Sequence, residues 1–259
     1  MPRSTTLRRW LLVLALVPAF GWAEPKSVYI ADLTWLEVRE AIEQGKTTAL
    51  YYAGSTEQNG PHMALGKHNV IASYVAGRIA RKLGDALVAP TMPFAPTGEH
   101  ARFPGTVNLS DATFAAVARD VGQSMFAAGF RVVCFMGDHG GGQEALKRVA
   151  ADLDREWWSK GRRAYYIGDA YYKAEAEIHA YLVQQKLPPG AHAGIEDTAQ
   201  LMFLDRAQKW VRRDKLAAAD QASGVDGDPR RATPALGKIL LDIKVKNAVA
   251  QIYYLRGNQ

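Results

Sequence analysis

The chain has 259 residues, 48% of them hydrophobic and 22% charged. That balance supports a buried core and excludes a disordered, collagen-like or coiled-coil chain. A single cysteine, Cys134, excludes a disulfide-stapled scaffold or a Cys-rich zinc module. The formal charge of +6 would suit a polyanion partner, but residues 1–23 read as a secretory signal peptide. Arg3, Arg8 and Arg9 give a positive start, Trp10 to Phe20 is apolar apart from Pro18, and Gly21-Trp22-Ala23 is a small-x-small cleavage site. Removing that segment takes away three arginines and no acid, which leaves +3, so no nucleic-acid partner is expected. The apolar run is short for a membrane span, and an uncleaved anchor is the alternative to cleavage. The expected location is the periplasm or the exterior, with no membrane association after cleavage, and Arg8-Arg9 also permits a twin-arginine exporter. Residues 24–259 are expected to form a single domain.

Along the mature chain, strand-like and helical patterns alternate. Thr34-x-x-Glu37 is a capping box that opens a short helix ending near Gly45. Thr48 to Ala53 reads as a strand, Val70 to Leu83 as a helix, and Ala86 to Ala89 as a short strand. Ser110 or Asp111 caps a helix to Ala128, and Arg131 to Met136 is a buried strand by its apolar run. A helix over Gln143 to Trp158, a strand over Ala164 to Ile167 and a helix over Tyr171 to Lys186 follow. Gly224 to Pro234 is a polar loop before a last helix, Ala235 to Ala250. The alternation predicts an α/β fold: a mostly parallel sheet covered by helices on both faces. Cys134 reads as an inert core residue. Trp157-Trp158 and Tyr165-Tyr166 read as core or subunit-contact aromatics, Tyr171-Tyr172 as core or pocket lining, and His179 as a surface residue.

Polar and glycine-rich segments fall where three strands end. The strand at 48–53 runs into the segment 54–62, which carries Glu57, Asn59 and His62; the strand at 86–89 leads to Glu99-His100; the strand at 131–136 runs into Asp138-His139-Gly140-Gly141-Gly142. Ligand crevices in open parallel sheets lie outside the carboxyl ends of the strands. Glu57, His62, His68, Glu99, His100, Asp138 and His139 should therefore gather at one end of the sheet. A fifth histidine, His192, sits in another loop ahead of Glu196 and Asp197. Imidazoles and carboxylates converging from separate loops suit a divalent metal; hydrogen-bonding loops with glycine turns are the plainer reading.

The segment Gly54-Ser55-Thr56-Glu57-Gln58-Asn59-Gly60-Pro61-His62-Met63-Ala64-Leu65 resembles the creatininase (creatinine amidohydrolase) family signature GS-x-EQHGPHLPL. Phe103-Pro104-Gly105-Thr106 resembles its FPGT, Asp138-His139-Gly140-Gly141 its NGHGGN, and His192 to Thr198 its HAG-x-x-ET. The resemblance covers roughly residues 48–200 and implies a three-layer α/β/α fold, C–N bond hydrolysis of cyclic or linear amides at a dinuclear zinc or manganese centre, and homo-oligomers, commonly hexamers. By position, Glu57 and His139 match metal ligands, and His192 matches a histidine that shuttles protons near the scissile bond. Asp197 stands where the family has a glutamate.

The departures change the expected site. Asn59 replaces a histidine ligand, His68 replaces the aspartate that bridges two metals, and Gly141 stands where creatininase itself has a glutamate. Asp138 replaces a usual glycine and should pair with His139 or cap the next helix. Imidazole does not bridge as a carboxylate does, and Asn offers only a neutral oxygen. The expectation is one zinc or manganese per chain on Glu57, His68 and His139, with Asp197, Asn59 or water completing the set. His192 would protonate a leaving nitrogen, Glu196 or Asp197 would orient it, and His62 would support a ligand. Lys67 reads as a solvated loop cation or, less expectedly, as a stabiliser of developing negative charge. The alternative function is an inactive relative that binds a small molecule or serves as an assembly subunit; a weaker one is hydrolysis of a lactone or sugar-like ring.

Overall fold

The computed structural model describes residues 26–217 and 221–257; the expected signal peptide, residues 1–23, lies outside them. Strands β1 (Thr48–Ala53), β2 (Ala86–Val88), β3 (Val132–Gly137) and β4 (Arg163–Tyr166) form one all-parallel sheet in the order β2-β1-β3-β4. The helices are α1 (Trp35–Glu43), α2 (Lys67–Leu83), α3 (Asp111–Ala128), α4 (Gln143–Trp157), α5 (Tyr172–Gln184), α6 (Ile195–Leu204) and α7 (Pro234–Gly257).

Side-chain alternation along the strands sorts the core into two layers. Leu50, Tyr52, Cys134 and Met136 face α2 and α7, against Ile71, Val75, Ile79, Leu241 and Val245. Ala49, Tyr51, Val133 and Phe135 face α3 and α4, against Phe114, Phe126, Leu146 and Leu153. Each fully buried large side chain contributes ~1.5–3 kcal/mol, so both faces must be covered, and the three-layer α/β/α sandwich follows. Cys134 has no exposed surface, and burial pushes its thiol up to about 12, as an inert core residue requires.

Local signals set the helix starts. The Thr34 hydroxyl accepts from Glu37 N–H while Glu37 Oε2 accepts from Thr34 N–H at 2.8 Å, the expected capping box. Ser110, rather than Asp111, caps α3 by accepting from Thr113 N–H at 3.1 Å. Helix α7 runs on to Gly257, seven residues past the expected Ala250, and two further differences from the sequence reading bear on the site. Helix α2 begins at Lys67, three residues earlier than its apolar periodicity shows, so His68 sits in its first turn and not in the loop. Helix α6 was not foreseen. Thr198 to Met202 is buried without a break, so it carries no amphipathic stripe to read.

Trp157 packs on Phe126 at 5.1 Å, whereas Trp158 is 60% exposed beneath the Arg163 guanidinium. Among the described residues, no helix is long and apolar enough to cross a membrane.

Candidate active site and metal cluster

The loop after β1 carries Glu57 beneath the sheet's carboxyl end, and Asp138 N–H bonds the Ala53 carbonyl at 2.9 Å, tying the loop after β3 to the same end. Glu57 is fully buried. Its Oε1 lies 2.8 Å from His68 Nε2 and its Oε2 lies 2.8 Å from His139 Nε2. The two imidazoles meet edge to face at 5.1 Å. One ligand atom from each of Glu57, His68 and His139 lies within 4.8 Å of the others. Burial opposes ionisation of Glu57, but hydrogen bonds from His139 and His68 hold its carboxyl well below the usual range.

Close approach fixes His139. A Cβ at Gly141 would fall 1.9 Å from the Pro96 carbonyl oxygen and 2.9 Å from the His139 ring, so no side chain, a glutamate included, fits there without moving backbone. Gly141 N–H donates to His139 Nδ1 at 3.0 Å, which leaves the Nε2 edge toward Glu57.

Asp138 does neither thing expected of it. It bonds neither His139 nor the start of α4. Its Oδ2 accepts from His68 Nδ1 at 2.8 Å, and its Oδ1 pairs with Lys244 Nζ at 2.7 Å. Burial raises its pKa, but the Lys244 charge and the His68 bond hold it at about 2. Burial and Lys67 disfavour a charged His68, yet Asp138 and Glu57 raise its pKa overall.

Lys67 is a buried cation, not a solvated one. It is 1% exposed at the side chain, and Nζ lies 2.8 Å from Asp197 Oδ2. The same oxygen accepts from Ala193 N–H at 2.9 Å. Asp197 is thus engaged by Lys67 and the 192–194 loop and is outside the Glu57–His68–His139 cluster. Glu196 accepts from Gly190 N–H at 2.9 Å, and neither acid hydrogen-bonds His192. Burial pushes the Glu196 carboxyl up to about 7. Asn59 donates to the Glu57 carbonyl at 2.9 Å, and its Oδ1 is buried with no donor. His62 Nε2 bonds Thr198 Oγ1 at 2.9 Å, supporting α6 and not a ligand.

His192 is brought in by backbone pairing with Asp226, in the loop that composition marks only as polar. Next to it, Ala193 takes a left-handed φ of 52°, a strained conformation for a residue with a Cβ. Gln58, which the sequence reading did not single out, holds the imidazole from two sides. Gly60 N–H donates to Gln58 Oε1 at 2.9 Å, so Gln58 Nε2 faces inward and donates to His100 Nδ1 at 2.8 Å and to the Gly224 carbonyl at 3.2 Å. His192 Nε2 lies 2.9 Å from both Gln58 Nε2 and the Gln58 carbonyl, and its Nδ1 faces Glu57 Oε1 at 4.0 Å. His100 stacks on His192 at 4.2 Å. Burial, then the Lys67 charge, holds His192 down at about 4. Gln58, His68, His100, His139, His192 and Asp197 line one cleft of about 830 Å³, with Tyr171 and the exposed His179 farther along its wall.

These positions match those of a known family. The Creatininase model, described as creatinine amidohydrolase, matches residues 31–252. The chain belongs to the creatininase family. It is 31% identical to the mycofactocin precursor peptide peptidase of Mycolicibacterium smegmatis over 71% of this chain and 76% of that protein. It is 29% identical to the creatinine amidohydrolase of Pseudomonas putida over 44% of this chain and 45% of that protein. A solved manganese creatininase superposes with a TM-score of 0.72 at 21% identity, covering 88% of this chain and 98% of its own, and so shares the fold. The protein is a metal-dependent amidohydrolase of the creatininase family.

The family implies a metal, and the donor set here fits one divalent cation. One carboxylate and two imidazoles converge from three segments, as three-ligand catalytic sites require. A second cation has no comparable set among the described residues, since the Asp138 and Asp197 carboxylates are held by lysines.

Proposed function

We propose that this chain is an exported enzyme that hydrolyses a C–N bond in a small cyclic or linear amide, using one zinc or manganese held by Glu57, His68 and His139. The convergence of those three donors, with His68 and His139 on the wall of a cleft of about 830 Å³, carries the reading. Both the peptidase and the creatinine amidohydrolase relatives are named for amide substrates, and a cleft of this volume accommodates a linear amide of several residues as well as a small ring. The N-terminal sequence supports a periplasmic or secreted location, and the family pattern supports a homo-oligomer, a hexamer in particular.

A cation on those donors would acidify water and polarise a carbonyl. The chain's own residues handle the protons. His192 is held neutral at ordinary pH by burial and the Lys67 charge, with its Nδ1 on the Glu57 side. It takes a proton from the attacking water and passes it to the leaving nitrogen, because an amine leaves badly without one. His100 accepts from Gln58 at Nδ1, so its remaining proton is on Nε2, a donor for a substrate oxygen in the cleft. Lys67 does not line the cleft; its ammonium faces Asp197 at 2.8 Å.

The test is to purify the chain from residue 24 onward, measure zinc and manganese per chain, and assay creatinine and a panel of short peptide amides before and after chelation. About one ion per chain and amide cleavage lost with EDTA and restored by zinc or manganese are expected. A chain that takes up neither metal, or one whose cleavage survives full chelation, overturns the reading. Export is checked by fractionating cells that express the full-length chain.

A further inference from the structure

Two departures from the family pattern compensate each other in space. The carboxylate that the family carries at position 68 is a histidine here, and a carboxylate appears at position 138 in place of a glycine. The structure joins them. Lys244 Nζ lies 2.7 Å from Asp138 Oδ1, Asp138 Oδ2 lies 2.8 Å from His68 Nδ1, and His68 Nε2 lies 2.8 Å from Glu57 Oε1. Side-chain exposure along that chain is 11%, 1%, 7% and 0%. Lys244 belongs to none of the four motifs. It comes from α7, between the core residues Leu241 and Val245, where an ammonium is costly unless it is paired.

We infer that Asp138 and Lys244 are positioning residues that set His68 as a cation ligand, the carboxylate lost at position 68 acting now from position 138 through the imidazole. The inference rests on the single-cation reading above. A metal-binding histidine works best when its other ring nitrogen donates to a carboxylate, which fixes the tautomer and the ring and strengthens the donor. Asp138 supplies that acceptor on the edge away from Glu57. Its second oxygen is engaged by Lys244, so the carboxylate cannot rotate out of line and stays ionised in a dry position. Helix α7 thereby takes part in the site, Lys244 lining the same cleft as His68 and His139.

The experiment titrates zinc against a chromogenic chelator with the chain from residue 24 onward and its Lys244→Met, Lys244→Arg and Asp138→Asn variants, with melting temperatures measured alongside. Lys244→Met and Asp138→Asn are expected to weaken zinc binding by roughly 10–100-fold, while Lys244→Arg, which keeps charge and donors, stays near wild type. Gly237→Ala, a packing change at the α6–α7 contact, serves as the control: it should lower the melting temperature and leave zinc affinity unchanged. Wild-type zinc binding with unchanged affinity in a folded Asp138→Asn or Lys244→Met variant overturns this inference alone. A wild-type chain that binds no zinc overturns the metal reading on which it rests. Should Lys244→Met fail to fold, Asp138→Asn and Lys244→Arg still decide the matter.

Discussion

Replacing Lys67 with methionine tests whether the site is held by charge or by packing. Lys67 is 1% exposed and its ammonium is 2.8 Å from an Asp197 carboxylate that is 22% exposed. Methionine keeps most of the volume and removes the cation. Asp197 then retains only the Ala193 N–H at 2.9 Å. Breaking a fully buried pair costs ~3–5 kcal/mol because it leaves an uncompensated charge. Water reaches part of Asp197 through the cleft, so the cost here should be ~2–3 kcal/mol. At ~2–4 °C per kcal/mol for a domain of this size, the melting temperature should fall by about 5–10 °C at pH 7. The sign of the pH dependence follows from Asp197. Burial opposes its ionisation, and Lys67 depresses its pKa in the folded wild type. That stabilisation is present above the unfolded carboxyl's ordinary value and is lost as pH falls below it. In the variant the folded pKa rises instead, a penalty relieved by protonation. The gap between the two proteins should therefore be widest near neutrality and should narrow toward pH 4. Thermal melts by circular dichroism across pH 4–8 measure it, and Lys67→Met in an Asp197→Asn background should cost much less. A loss that is the same at every pH, or the same in both backgrounds, would show that Lys67 acts by packing and refute the argument.

Three other outcomes follow from the geometry. Glu196 has its pKa raised to about 7 by burial, so its charged form is disfavoured in the fold and stability should decline by ~2–3 kcal/mol as pH rises from about 5 to 8. Glu196→Gln should flatten that slope in urea titrations at the two pH values. Glu57→Gln should cut zinc uptake below one-tenth of wild type and abolish amide cleavage, since both imidazoles lose their shared carboxylate; metal analysis of the purified variant checks it. Gly237→Ala would place a Cβ 1.8 Å from the Ala199 carbonyl of α6. The overpacking cost of ~1–3 kcal/mol should exceed the ~1 kcal/mol gained in helix propensity, and a net rise in melting temperature would contradict the α6–α7 packing.

What was legible in the sequence was whatever local rules and strand ends dictate. Apolar runs at 48–53 and 131–136 fixed the parallel sheet because both of its faces are buried, and the polar segments after them placed Glu57, His100 and His139 at one end. Local periodicity failed at two places. The first turn of α2 buries Lys67 and His68, polar residues that no apolar stripe announces. Helix α6 is buried along its middle and reads as having no face. The partners of each charge were not legible at all. Asp138 sits one residue from His139, yet it bonds His68, 70 positions back, and Lys244, 106 positions on. Such pairing depends on which side chains meet across the sheet once α2 and α7 pack on it. Desolvation makes such buried charges costly unless an opposite one is at hand. The residue types and the end of the sheet they occupy are thus properties of the sequence. Which imidazoles face the cleft, and which lysine neutralises which acid, were decided by the tertiary structure, because those contacts join segments far apart along the chain.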